Sequence, residues 1–331
     1  MAEQETPGGS LAGRRILVTG ASGFIGSHLS RRLVAERAEV HALTSSVSSV
    51  YPTRLLDLRD RITLHEASLT DRGALEQLAG TVRPEFVLHL GAYTHVGKSW
   101  QRIDECIQAN VQGTVNLLVA LAPGSYERFV NTGTSEIYGD VDVPFHEEGP
   151  VHPISPYSVS KQAAEQYCQL FSEARGWPIV RVRPFNAYGP AQSPDRVIPE
   201  IIARGLQKRP LSMTKGAQTR EFNYVEDLAD GFVRLLVTPG IDGELFNLGC
   251  GQEVSMRDLA TRILALLGDP ISADFGALAE RPTEIPRMFA DASKARRVLG
   301  WEPRVSLDEG LARTIEWFRG ELAGGGSSFA P

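Results

Sequence analysis

Gly20-x-x-Gly23-x-x-Gly26 constrains this chain more than any other feature. It follows an apolar run, Ile16–Val18, and opens a stretch with Ile25, Leu29 and Leu33 at helical spacing. The reading is strand, tight turn, helix. Gly20 lets the chain turn without a Cβ. Gly23 lets backbone approach a pyrophosphate, and Gly26 lets the helix close on the strand. The helix N-terminus then favours phosphate charge. The spacing is one residue longer than Gly-x-Gly-x-x-Gly. Glycine turns also serve packing alone, so the flanking strand and helix carry the dinucleotide reading.

Further apolar runs follow at Val40–Leu43, Ile62–Leu64, Phe86–Leu90 and Phe129–Val130, the last ending near Thr132. Helical patterns separate them: Asp71, an N-cap, to Leu78, and Ile107 to Leu121. This alternation predicts an α/β chain with a Rossmann-type, doubly wound parallel sheet. At 331 residues the chain has length for one large core plus a smaller lobe. The expected division is a flexible segment 1–13, a mainly nucleotide-binding domain 14–189, a mainly substrate-binding C-terminal lobe 190–320 that may cross back, and a disordered tail 323–331. In the later half, Leu228–Leu236 reads as a packing helix, and Leu311, Ile315 and Phe318 share one helical face.

Charge and cysteine content narrow the class. Lys and Arg number 34 against 40 Asp and Glu, a net charge of −6 without a basic stripe, which argues against nucleic acid. No apolar stretch approaches the ~20 residues of a membrane span, and the polar MAEQETPGGS opening lacks a signal-peptide core. Cys106, Cys168 and Cys250 are far apart and form neither a metal nor a disulfide pattern. A soluble cytoplasmic protein with no metal is expected.

Two stretches carry chemistry. Thr134-Ser135-Glu136-Ile137-Tyr138-Gly139 lies just past a strand's C-terminal end, where open α/β sheets bind ligands. In Ser155-Pro156-Tyr157-Ser158-Val159-Ser160-Lys161, Pro156 suits a helix start, and Tyr157 and Lys161 fall one turn apart on one face. A cation beside a phenol lowers its pKa. Such a tyrosine can take a hydroxyl proton while hydride leaves to a nicotinamide ring. Gly91-Ala92 puts small residues where a strand would meet a flat ring. At Thr44-Ser45-Ser46 there is neither the acidic residue that binds the ribose of NAD nor an arginine for the phosphate of NADP; the missing arginine leans the choice to NAD. His89, in an apolar strand, reads as core.

Together with Arg183-Pro184-Phe185-Asn186-Ala187-Tyr188-Gly189-Pro190, these motifs resemble the extended short-chain dehydrogenase/reductases that modify nucleotide sugars: epimerases, dehydratases, decarboxylases and reductases. The resemblance runs from about Arg14 to Phe318. Val40–Leu43 with the serine run after it, His95-Val96 with Ser99, Thr134–Glu136 and Arg281-Pro282-Thr283-Glu284 are most similar to the GDP-mannose 4,6-dehydratase and 4-keto-6-deoxymannose reductase branch. The resemblance implies a nucleoside-diphosphate-sugar substrate, bound NAD (or NADP) and a homodimer.

Residue by residue, it makes Tyr157 the base at the sugar C4 hydroxyl, Lys161 the ribose ligand that tunes it, and Thr134 a hydrogen-bond partner of the C4 oxygen. Glu136 takes the C5 proton in a dehydratase. Many sugar 4,6-dehydratases pair Asp with Glu here; Ser135-Glu136 fits a one-glutamate version. For the cofactor the resemblance implies Gly20, Gly23, Phe24, Ile25, Gly26, Thr44, Ser45, Ser68, Leu69, Leu90, Gly91, Ala92, Thr132 and Pro184, with Tyr157 and Lys161. For the substrate it implies Thr94, His95, Asn186, Val197, Arg220 and Arg281, the two arginines on the phosphates. The expected activity is an NDP-hexose dehydratase (a lyase). Epimerisation at C4 or C5, glucuronate decarboxylation and 4-ketosugar reduction share its chemistry and stay open.

Overall fold

The computed structural model describes residues 9–45, 53–121, 126–280 and 284–323. The expectations for Ser46, Arg281 and the tail from 324 lie outside the described residues.

Seven strands form one parallel sheet: β1 Arg15–Thr19, β2 Glu39–Thr44, β3 Thr63–Glu66, β4 Phe86–His89, β5 Arg128–Thr132, β6 Ile179–Pro184 and β7 Leu245–Leu248, in the order β7-β6-β5-β4-β1-β2-β3. The helices are α1 Phe24–Ala35, α2 Arg72–Val82, α3 Ile103–Cys106, α4 Gly113–Leu121, α5 Pro156–Arg175, α6 Val197–Leu206, α7 Val225–Val237, α8 Met256–Leu266 and α9 Leu307–Ala323.

Strand alternation sorts the core into two layers. Ile16 and Val18 face one side, in a cluster with Leu29 and Leu33 of α1 and Leu228, Phe232 and Leu236 of α7. Leu17 faces the other side, with Leu75 and Leu78 of α2, Leu117 and Leu121 of α4, and Cys168 of α5. Both faces are covered by helices, so the strands read as continuous apolar runs. A third cluster joins α6, α8 and α9 through Ile201, Ile202, Leu259, Ile263, Leu311, Ile315 and Phe318.

Local signals act as expected at two helix starts. Asp71 caps α2 by accepting from the Ala74 amide at 3.0 Å. Ser155 caps α5, with Pro156 in the first turn and a reciprocal bond to Ser158. The crossing back allowed for the later half occurs at β7, which pairs with β6. Two findings differ from the sequence reading. Leu11, assigned to a flexible opening, is buried in the core. The single helix expected from Ile107 to Leu121 begins at Ile103 and carries a π-helical turn, Ile107–Gln112.

Candidate active site

The C-terminal ends of the parallel strands bring most of the candidate residues to one edge. Gly20 follows β1, Thr44 ends β2, Ser68 and Leu69 follow β3, Leu90–Ala92 follow β4, Thr132 ends β5 and Pro184 ends β6. From β1 the sheet runs outward through β2 and β3 on one side and through β4, β5, β6 and β7 on the other. The edge between β1 and β4 is thus a topological switch point, where such sheets hold ligands.

The glycine turn has the cradle a dinucleotide needs. Gly20 has φ +67°, and a Cβ there would stand 2.8 Å from the Gly91 amide nitrogen. A Cβ on Gly26 would stand 2.2 Å from the Gly20 carbonyl oxygen, so that glycine brings α1 against the turn. Gly23 is the N-cap of α1; no side chain caps it, and the first turn holds no acidic residue. The helix therefore presents its amide donors, and its positive dipole end, to an anion. Along the same edge the Thr44 and Thr132 hydroxyls are buried without a hydrogen-bond partner among the described residues. The residues present fit NAD: a phosphate cradle at Gly20–Gly26 and unpartnered donors beside it. Ser45 is exposed at the end of this row. Arg54, which the sequence reading passed over, donates to the Ser22 carbonyl at 3.4 Å and to the Ala191 carbonyl at 2.8 Å, so an arginine does stand at the turn.

Tyr157 and Lys161 sit one turn apart on α5, both buried. The Tyr157 phenol hydrogen-bonds with Thr134 and feels the Glu136 carboxylate and the Arg196 cation. The sequence reading had the lysine bringing the phenol down. Burial outweighs every opposing influence, and Tyr157 is pushed up to about 12. Burial likewise brings Lys161 down to about 8, against the upward pull of Cys168 and Glu165. Thr134 opens a short 3-10 turn, Ser135–Ile137, and its hydroxyl accepts the Glu136 amide at 3.3 Å. Glu136 is half-buried there. Ser135 is buried and its hydroxyl lies 3.5 Å from Met288 Sδ.

His89 is core. It bridges Thr19 Oγ1 at 2.7 Å and Thr114 Oγ1 at 3.0 Å, and burial pushes it down to about 3, so it is neutral. Asn110, in the π-helical turn, was missed by sequence. Its side chain accepts the Tyr93 amide at 2.7 Å and donates to Ser160 Oγ at 2.9 Å, tying the loop after β4 to α5 beside Lys161. π-turns recur at functional sites, but nothing in IQANVQ marks one.

The residues expected to hold substrate are more scattered in their bonding. Thr94 is exposed, and its carbonyl accepts from Arg196 at 3.4 Å. His95 Nε2 lies 3.5 Å from Asp195 Oδ2. Val197 begins α6. Asn186 donates to the Glu221 carbonyl at 3.2 Å. Arg220 is largely engaged within the protein, by the Ile285 carbonyl at 2.7 Å and the Glu284 carboxylate.

Comparison with known proteins shows the family and the fold. A family model described as GDP-mannose 4,6 dehydratase matches residues 17–314. A protein named probable dTDP-glucose 4,6-dehydratase, from Sinorhizobium fredii, is 34% identical over 327 residues, covering 92% of each chain. The human dTDP-D-glucose 4,6-dehydratase is 33% identical over 324 residues, covering 95% of this chain and 91% of its own. Among solved structures, DesIV of Streptomyces venezuelae, a dTDP-glucose 4,6-dehydratase with NAD and TYD bound, superposes with a TM-score of 0.86 at 32% identity, covering 94% of this chain and 98% of its own. The UDP-glucose 4-epimerase of Thermotoga maritima with UDP-glucose gives 0.87 at 30% identity, covering 93% and 99%.

Proposed function

This chain belongs to the GDP-mannose 4,6-dehydratase family within the extended short-chain dehydrogenase/reductases, and from that premise we propose that it removes water from a nucleoside-diphosphate hexose. The observation that carries the reading is the meeting of Tyr157, Thr134 and Glu136 where β5 ends and α5 begins. NAD, when bound, supplies the hydride acceptor and donor that make the net reaction redox-neutral.

The chain's own residues do the rest. Thr134 and Tyr157 hold the C4 hydroxyl, and Tyr157 takes its proton. Lys161 donates to the cofactor ribose. A ketone at C4 acidifies the C5 proton, which Glu136 removes and returns to the departing C6 hydroxyl; a solvent proton then enters at C5 and Tyr157 releases the proton it took to solvent, so the net loss is one water. Ser135 keeps its place beside Glu136 in the catalytic turn, its hydroxyl 3.5 Å from Met288 Sδ. Asn110 keeps the loop after β4 against α5. The diphosphate lies towards Asn186, Val197 and Arg220, with Thr94 and His95 by the sugar; Arg281 keeps the phosphate role that the resemblance implies. On this reading residues 14–189 mainly bind the cofactor and 190–320 mainly the substrate, with Thr94, His95 and Asn186 reaching the substrate from the first part and Leu245–Leu248 crossing back into its sheet. The test is incubation with a panel of nucleotide hexoses without added cofactor. Loss of one water is expected; an isomer of unchanged mass would favour an epimerase, and loss of carbon dioxide a decarboxylase.

The same reading includes a homodimer. Val159 and Leu170 on α5, 51% and 55% exposed, and Ile103 and Ile107 before α4, 46% and 52% exposed, offer an apolar stripe on neighbouring helices. Two copies packing these stripes would bury both. Leu170→Glu is expected to give a folded monomer by light scattering; an unchanged dimer would contradict that interface. Among the described residues no helix is long and apolar enough to cross a membrane, and the three cysteines are free, which supports the cytoplasm as its place.

A further inference from the structure

The ion pair of Glu165 and Arg183 has no part in the roles above. Glu165 lies one turn beyond Lys161 on α5, as Lys161 lies one turn beyond Tyr157. Its carboxylate takes both arms of Arg183, Nε at 3.0 Å and Nη2 at 2.6 Å. Both residues are 4% exposed. Buried ion pairs stabilise no more than well-packed apolar replacements as a rule. Arg183 Nη1, moreover, is buried without a hydrogen-bond partner among the described residues. Stability alone accounts poorly for such a pair.

The pair touches the catalytic turn at both ends. A Cβ on Gly133 would stand 2.9 Å from Glu165 Oε2 and 3.4 Å from Arg183 Cγ, so the bare backbone just before Thr134 lies on the pair. At the other end the Arg183 guanidinium sits 4.6 Å from the centre of the Tyr138 ring. The Tyr138 hydroxyl in turn donates to Asn247 Oδ1 at 2.8 Å. Thr134, Ser135 and Glu136 lie between these two anchors. We propose that the Glu165–Arg183 pair is a positioning device of the active site, fixing the Thr134–Tyr138 turn against α5 and placing a negative charge one turn from Lys161.

The groups acting on Lys161 are Glu165 and Cys168 from α5, with His89 from β4. Burial leaves Cys168 and His89 uncharged at neutral pH, so the ion-paired Glu165 is the anion that favours the ammonium. The inference rests on the reading of Lys161 as the ligand of the cofactor ribose.

The test is NAD affinity as a function of pH, by calorimetry on cofactor-free full-length protein, together with kcat on the substrate the panel identifies. A protonated Lys161 donates to the ribose, so wild-type affinity falls as pH rises past about 8. In Glu165→Gln the fall is expected about one pH unit lower, with kcat reduced at least ~10-fold by misplacement of the turn. Glu165→Asp, which keeps the charge, is expected to restore the wild-type pH limb. The double variant Glu165→Gln/Arg183→Met leaves no lone buried charge, serves if the single variant does not fold, and is expected to keep the shifted limb. A wild-type limb in either charge-removing variant overturns the proposal. Loss of cooperative folding in both does so too, because the pair would then be a requirement of the fold. If the wild type turns over no nucleotide sugar, the dehydratase reading fails while the binding limb still judges the pair.

Discussion

Tyr157→Phe is expected to give a folded protein that still binds NAD but turns over ~10²–10⁴-fold more slowly, the range of a lost general acid–base group. The substitution keeps the ring, which is 8% exposed and packed on α5. It removes the hydroxyl that hydrogen-bonds Thr134, at a cost of about 1 kcal/mol in stability. Lys161 and the glycine turn are untouched. Burial holds the phenol up at about 12; the Thr134 hydrogen bond and the Arg196 cation oppose it. Phenylalanine has no proton to exchange, so the loss falls on chemistry and not on binding. The measurement is kcat beside NAD affinity and the melting temperature. Turnover within a few-fold of wild type would remove Tyr157 from the mechanism.

The sequence was most legible where a short-range rule decides the outcome. Strand, glycine turn and helix at Arg15–Ala35 follow from apolar spacing and from what a Cβ would strike at Gly20 and Gly26. Asp71 announces a helix start because its side chain reaches the orphan Ala74 amide, and Pro156 announces another because its fixed φ suits a first turn; the Ser155 cap beside it came only with the structure. Tyr157 and Lys161 share a face because helix geometry places them so. His89 was readable as core from the apolar run around it, though not its two threonine partners.

What stayed hidden depends on contacts between distant segments. Periodicity does not say which strands are neighbours, so a crossing back was foreseen without its place, Leu245–Leu248 at the edge of the large sheet beside β6. Asn110 acquires its place only through the π-helical turn and through Tyr93 and Ser160. Arg54 reaches the glycine turn from a segment after β2, so the absence of arginine at Thr44–Ser46 was a poor guide to the charge there. Spacing showed the lysine beside the tyrosine but not the depth of burial. That depth moves the phenol up and the lysine down.

Glu136 separates a dehydratase from an epimerase, and its replacement tests the central claim most directly. Oxidation at C4 calls on Tyr157, Thr134 and Lys161. Loss of water across C5 and C6 needs, in addition, a base at C5 and a proton for the leaving hydroxyl. Glu136 shares the turn with Thr134 and its charge is felt at Tyr157, so it stands within the same site. Glutamine keeps its size and hydrogen bonding but takes no proton. The measurement is product mass against time in deuterium oxide, for wild type and Glu136→Gln, on the nucleotide hexose that the wild type accepts. The account predicts that wild type loses one water and gains deuterium at C5, while Glu136→Gln forms the dehydrated product at least ~10²-fold more slowly. Dehydration by Glu136→Gln at the wild-type rate, or a wild-type product that has lost no water, would contradict it.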